Sequence, residues 1–264
     1  SKRGWIHPIK NLKDSAEETM RLFINNCCPN GETIEACFRE NSGNRTNAKT
    51  DSYALNSWCM RIMAVAQTNT LQRKFDHANF TSDSLKEIAK LSFFDEGPLL
   101  AQEFLEKHGI HLIIERHLSK TYLDGAALLL EDSTPVVGLT LRYDRIDNFW
   151  FCLLHELAHI VLHLGKENHN LFVDDMDIRI SGRGKQNDIE DEADFLAIES
   201  LIPNKVWSTA DAKSNPTKKN VLALAEYLKI HPACIAGKVR FEQNNFRLLS
   251  KLVGSGKIRT FFEV

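Results

Sequence analysis

The sequence is short of the features that mark secreted, membrane-embedded or nucleic-acid-coating proteins. Its six cysteines, at 27, 28, 37, 59, 152 and 234, form no CxxC pair and are sparse for 264 residues. A disulfide-stapled scaffold is therefore not expected, and reduced thiols in a cytoplasm are. No long apolar run is uninterrupted: the most hydrophobic stretch, residues 149–164, contains His155, Glu156, His159 and His163. Four polar side chains of that kind argue against a membrane span. Charge of one sign is not in excess either, since the formal net charge is −2. No global field then favours nucleic acid or an anionic membrane, and direct nucleic-acid binding by this chain is not expected. No signal peptide is expected, and Ser1-Lys2-Arg3-Gly4-Trp5 carries no start signal, so a preceding segment is expected. Internal repeats are lacking. An apolar fraction of 43% and a charged fraction of 26% are those of a chain able to bury a core.

The apolar spacing predicts helices over 11–25, 52–67, 85–91 and 98–108 before any chemistry-bearing motif. The second follows a polar connection over 41–51 and presents Leu55, Trp58, Cys59, Ile62 and Met63 on one face. Gly109 stops the fourth helix. From there the period shortens to that of strands, over 110–114, 126–130 and 136–141, the last two separated by Glu131-Asp132-Ser133-Thr134-Pro135. A strand over 139–143 is expected at the sheet edge, where it could hold an extended substrate by β-augmentation. Residues 166–187 have no clear period and read as a surface loop across a site. Helices resume over 189–201, 218–228 and 232–240. His231-Pro232 reads as the start of the last, with proline in its first turn. The fold class expected is α+β.

Residues 155–159 read His-Glu-Leu-Ala-His. On a helix, His155 and His159 project from one face a turn apart, so both imidazoles can reach a single Zn²⁺. Glu156 lies about 100° around the axis and can address a water at the metal, the position of a general base. With 10 histidines in 264 residues, chance would produce this pattern in roughly a few per cent of such chains. The surroundings weigh further against chance. Phe149, Trp150, Phe151, Leu153, Leu154, Leu157, Ile160, Val161 and Leu162 make the helix so apolar that its ionisable residues would be costly without a cation.

A catalytic zinc keeps three protein ligands and one open position, so a third ligand is needed. His163 continues the i+4 series, but drifts around the axis and suits a supporting role. The metzincin pattern would need Gly at 162 and His at 165, where this chain has Leu162 and Gly165, and that class is excluded. The acidic start of the helix over 189–201 offers the better source. Glu190 and Asp194 are i, i+4, so one carboxylate can ligate while the other hydrogen-bonds a ligand histidine. Glu190 is the expected ligand, Glu192 the reserve, and Asp191 a residue that offsets the helix dipole. Tyr143, His163 and His231 are open candidates for stabilising an oxyanion, and spacing does not choose among them.

These residues resemble the ImmA/IrrE metallopeptidases, which pair a HELAH-type helix with a downstream ExxA(D/N)xFA-type helix. The resemblance extends over PVVGLTLRYDRID (135–147), FWFCLLHELAHIVLH (149–163) and EDEADFLAIESLIP (190–203), with Leu196 where the family usually has Phe. It implies a zincin-like core at 93–210, between helical regions at 1–92 and 211–264. It also implies His155, His159 and Glu190 as zinc ligands and Glu156 as catalytic base. The expected substrate is a protein, a transcriptional repressor or antitoxin, cleaved in stress response or toxin–antitoxin regulation. The flanks look like larger regulators in which an Xre-type helix-turn-helix domain precedes this one, and such a domain is expected before residue 1. The competing reading is a regulatory module whose metal domain senses or binds a partner without turnover. A third, DNA binding through a helix-turn-helix-like segment at 222–238, gains nothing from the net charge.

Overall fold

The computed structural model describes residues 5–6, 12–27, 49–165, 171–174 and 188–262. Helices α1 (Leu12–Cys27), α2 (Ser52–Thr68), α3 (Ser82–Leu91) and α4 (Gly97–Lys107) precede strands β1 (His111–Ile114), β2 (Gly125–Leu129) and β3 (Pro135–Leu139). Then follow α5 (Ile146–Leu162), β4 (Leu171–Asp174) and α6 (Asp188–Leu201). Two short helices, α7 (Asn204–Trp207) and α8 (Asp211–Ser214), lead to α9 (Lys218–Leu228), α10 (Pro232–Glu242) and α11 (Arg259–Phe262). The class is mixed α+β, with a small mixed sheet among many helices.

Local chemistry sets several boundaries. Asp51 caps α2 by accepting from the Tyr53 and Ala54 amides, and Thr81 with Ser84 forms a capping box on α3. His231 begins α10 as the sequence suggests: its Nδ1 accepts the Ala233 amide at 3.0 Å, and Pro232 follows in the first turn.

The sheet order is β1-β3-β2-β4, with β1 parallel to β3 and both other pairs antiparallel. Alternation divides its side chains between two layers. Ala126, Leu128 and Val136 pack with Leu55, Trp58 and Ile62 of α2, while Ala127, Val137 and Leu139 pack with Leu153 and Leu157 of α5. The sheet thus sits between α2 and α5. Gly138 makes the α2 side possible, because a Cβ there would lie 2.7 Å from the Trp58 ring. Helix α5 is buried all round because α3, α6 and α10 cover the faces the sheet leaves.

Two expectations are corrected. The strand over 139–143 does not form: β3 ends at Leu139 and lies inside the sheet between β1 and β2, so it has no edge to offer. The backbone turns there because Thr140 Oγ1 donates to the Leu123 carbonyl and accepts from the Arg142 amide, with Leu141 at φ +49°. The second correction falls within 166–187, where Leu171–Asp174 pairs with β2 as strand β4. The rest of that segment, like residues 41–48, lies outside the described residues. Among the described residues, no helix is long and apolar enough to cross a membrane.

Candidate metal centre

Helices α5 and α6 pack against each other, and the polar residues of both meet in their seam. His155 and His159 stand one turn apart on α5, fully buried, with their Nε2 atoms 3.1 Å from each other. Glu190 enters from the first turn of α6, and its Oε2 lies 3.2 Å from His155 Nε2 and 3.6 Å from His159 Nε2. These three are the one group among the described residues whose donor atoms could together hold a metal ion. Glu192 is not part of it: its side chain is 64% exposed and points to His163, 3.6 Å away. Of the two glutamates the sequence left open, the fold brings Glu190 to the histidines.

The triangle of donor atoms fits a small divalent ion. Ligand bonds of about 2.0–2.1 Å in a tetrahedron place donor atoms about 3.3–3.4 Å apart. The three separations here, 3.1, 3.2 and 3.6 Å, bracket that edge. Two imidazole lone pairs and a carboxylate turned toward one buried point are costly unless a cation occupies it. Asp194, one turn beyond Glu190, lies 3.0 Å from His155 Nδ1. With Nδ1–H donated to that carboxylate, the Nε2 lone pair is left to face the centre.

Burial sets the protonation of the cluster. It is the largest influence on His159, whose pKa falls to about 4 despite the opposing carboxylate of Glu190, so the ring is neutral at neutral pH. Burial alone would raise the Glu190 carboxyl, but hydrogen bonding from His155 and His159 and their charges outweigh it and hold it below the usual range. A neutral imidazole and an ionised carboxylate are the forms that bind a metal ion.

Glu156 is 1% exposed and packs beside the start of β2. Its carboxylate occupies the space that a side chain at residue 125 would need; a Cβ on Gly125 would lie 3.0 Å from both Cγ and Cδ of Glu156. Sequence reasoning missed this glycine, which sits at the first position of the strand. It also missed Phe172 of β4, whose ring stacks on His159 with centroids 4.4 Å apart and planes 9° from parallel. The only signal for it was the short run Leu171-Phe172-Val173 in a polar surround.

The candidates for oxyanion stabilisation are spread out. His163 is the C-cap of α5, its ring 5.6 Å from that of His159. Tyr143 lies under the guanidinium groups of Arg142 and Arg145, and His231 caps α10. Cys152 is buried and accepts from Asn148 Nδ2 at 3.4 Å.

The comparisons with known proteins agree with this arrangement. A search of the curated proteins finds no match. Residues 105–238, half of the chain, match the family model described as the IrrE N-terminal-like domain of the M78 peptidases. That span runs from the end of α4 into α10 and includes the sheet, both seam helices and every member of the buried cluster. The chain therefore belongs to the ImmA/IrrE family of metallopeptidases.

Proposed function

We propose that the chain is a zinc-dependent endopeptidase with a zincin-like core, and that its substrate is a protein regulator of the repressor or antitoxin kind. The observation that carries the peptidase reading is the donor triangle of His155, His159 and Glu190, with Asp194 behind His155 and Glu156 buried on the same turn of α5. Two imidazoles and a carboxylate are a donor set suited to catalytic zinc, which leaves a fourth position open. Zinc bound there would act as a Lewis acid, lowering the pKa of a water and polarising a peptide carbonyl.

The remaining steps belong to the chain's own side chains. Glu156, next in sequence to a ligand, accepts the proton of the attacking water and delivers it to the leaving amine. Asp194 keeps His155 in the tautomer whose Nε2 faces the centre. Among the described residues β4 is the sheet edge nearest to this chemistry, with Phe172 on His159, and an extended substrate aligned along it would need no rearrangement of the sheet.

The decisive experiment is Glu156→Gln. We expect one zinc per chain by metal analysis, as in the parent, and loss of peptide-bond cleavage by 10²-fold or more, the scale of a lost general base. His155→Ala and Glu190→Ala should lose the zinc as well. Cleavage retained by Glu156→Gln would sink the mechanism, and would favour a module that binds its partner without turnover.

A further inference from the structure

The seam between α5 and α6 continues past the metal cluster. His159 and His155 meet Glu190, and His155 meets Asp194, so the two helices run in opposite directions along one line. One turn further lie Phe151, four residues before His155, and Ile198, four residues after Asp194. Both residues line a cavity of about 360 Å³ that Cys234, Gly237 and Phe241 of α10 also line. The ring of Phe151 is 6.0 Å from that of His155, so one wall residue of the cavity lies against a member of the metal cluster.

This volume exceeds what a packing defect leaves and falls in the range of small-molecule sites. Its walls are largely apolar, and Tyr143, Phe151, Phe241 and Phe246 give it several aromatic faces. Arg145, Lys238 and Arg240 line it together with two carboxylates, Asp147 and Glu242. Asp147 is held by Arg145 at 2.9 Å and by Arg240 at 3.5 Å. Glu242 accepts from Trp207 Nε1 at 2.8 Å and lies 3.2 Å from Lys238. With both carboxylates matched, the described residues of the lining, three cations against two carboxylates, carry one surplus positive charge. Aromatic walls favour a flat aromatic guest. The surplus cation favours one negative charge upon it, because an unmatched charge in an apolar cavity is costly.

We propose that this cavity is an effector site for compact aromatic monoanions, distinct from the metal cluster and coupled to it through Phe151 and His155 on α5 and through Ile198 and Asp194 on α6. The coupling rests on the metal reading above; the binding does not.

The probe is 1-anilinonaphthalene-8-sulfonate, a fused aromatic with one negative charge whose fluorescence rises in apolar surroundings. Titrated into the full chain, it should saturate at one molecule per chain with micromolar affinity. The uncharged analogue N-phenyl-1-naphthylamine should bind several-fold more weakly. Ile198→Trp, which fills the cavity, should weaken the sulfonate at least tenfold. Phe241→Ala, at the more exposed rim, should weaken it by a smaller factor and serves if the first variant fails to fold. Loading with zinc should change the sulfonate's affinity at least threefold, with the reciprocal change in zinc affinity at saturating probe. Unsaturable fluorescence, or parent-like binding by the folded variants, overturns the site. An affinity indifferent to zinc in a chain shown by metal analysis to hold it overturns the coupling. A chain that holds no zinc at all places the failure in the metal reading, and the binding results then decide the site alone.

Discussion

Asp194→Ala tests whether the carboxylate behind His155 supports metal binding or only fills the seam. Its Oδ1 lies 3.0 Å from His155 Nδ1, and the side chain is 13% exposed, so water would reach the vacated place only in part. Two losses follow from the truncation. The imidazole loses a charge-assisted hydrogen bond, and it becomes free to populate the tautomer whose Nε2 carries the proton and cannot ligate. Partners of this kind are worth about 10–100-fold in metal affinity, or roughly 1.4–2.7 kcal/mol. Asp194→Asn retains an acceptor oxygen without the charge and should fall between the parent and the alanine variant. Zinc affinity is read by competition with a chromophoric chelator at pH 7.5, alongside a pH series. If the tautomer argument is right, zinc release by acid should move to higher pH in Asp194→Ala, because a ring without its anchoring carboxylate competes less well for the metal. An alanine variant that binds zinc within twofold of the parent, with an unmoved pH midpoint, would refute the reasoning.

Three further outcomes are expected. Gly125→Ala should bind zinc normally yet lose most of its cleavage activity, because the added methyl occupies the place of the Glu156 carboxylate; parent-like turnover would show that Glu156 has room to move. Metal-free protein should lose stability in acid. The His159 pKa, about 4 in the fold, lies below its ordinary 6.5, so the unfolded chain takes up the proton first and stability falls from about pH 6.5 down to about pH 4. Below its ordinary 4.5, Glu190 adds a loss of the same sign, since its folded carboxyl also stays ionised longer. The His159 share is about 2 kcal/mol by pH 5, measurable by urea unfolding after chelator treatment, and a midpoint unchanged between pH 7 and 5 would contradict it. Gly138→Ala should cost about 1–3 kcal/mol by overpacking against Trp58 and Ile62, seen as a thermal midpoint lowered by several degrees, with zinc binding intact.

Much of the scaffold was legible because it depends on local patterns. The stretch 52–67 reads as a helix from its apolar spacing, and α2 occupies Ser52–Thr68. Pro232 after His231 marks a helix start, and α10 begins there. The segment 218–228 matches α9 end to end. Strands were legible as segments and not as a sheet. Their order depends on which distant segments pair, and nothing within 136–143 announces that β3 will lie between β1 and β2. Strand β4 escaped notice because four residues, only three of them apolar, are too few to establish an alternation against a polar surround.

The site divides along the same line. Residues 155–159 specified by themselves that two imidazoles and a carboxylate would stand on one helical turn, because the spacing that forms the helix also sets their directions. Family membership, too, was written in the paired motifs at 149–163 and 190–203. What only the tertiary structure decided is which acidic residue completes the cluster: Glu190 and Glu192 share a helix end, and the packing angle of α6 on α5 turns the first inward and leaves the second in solvent. The same packing put Asp194 behind His155, while the sheet put Phe172 on His159 and Gly125 beside Glu156. Each of these contacts joins residues more than twelve apart in the chain. Their energies come from burial and orientation in a shared interior, which no local spacing encodes.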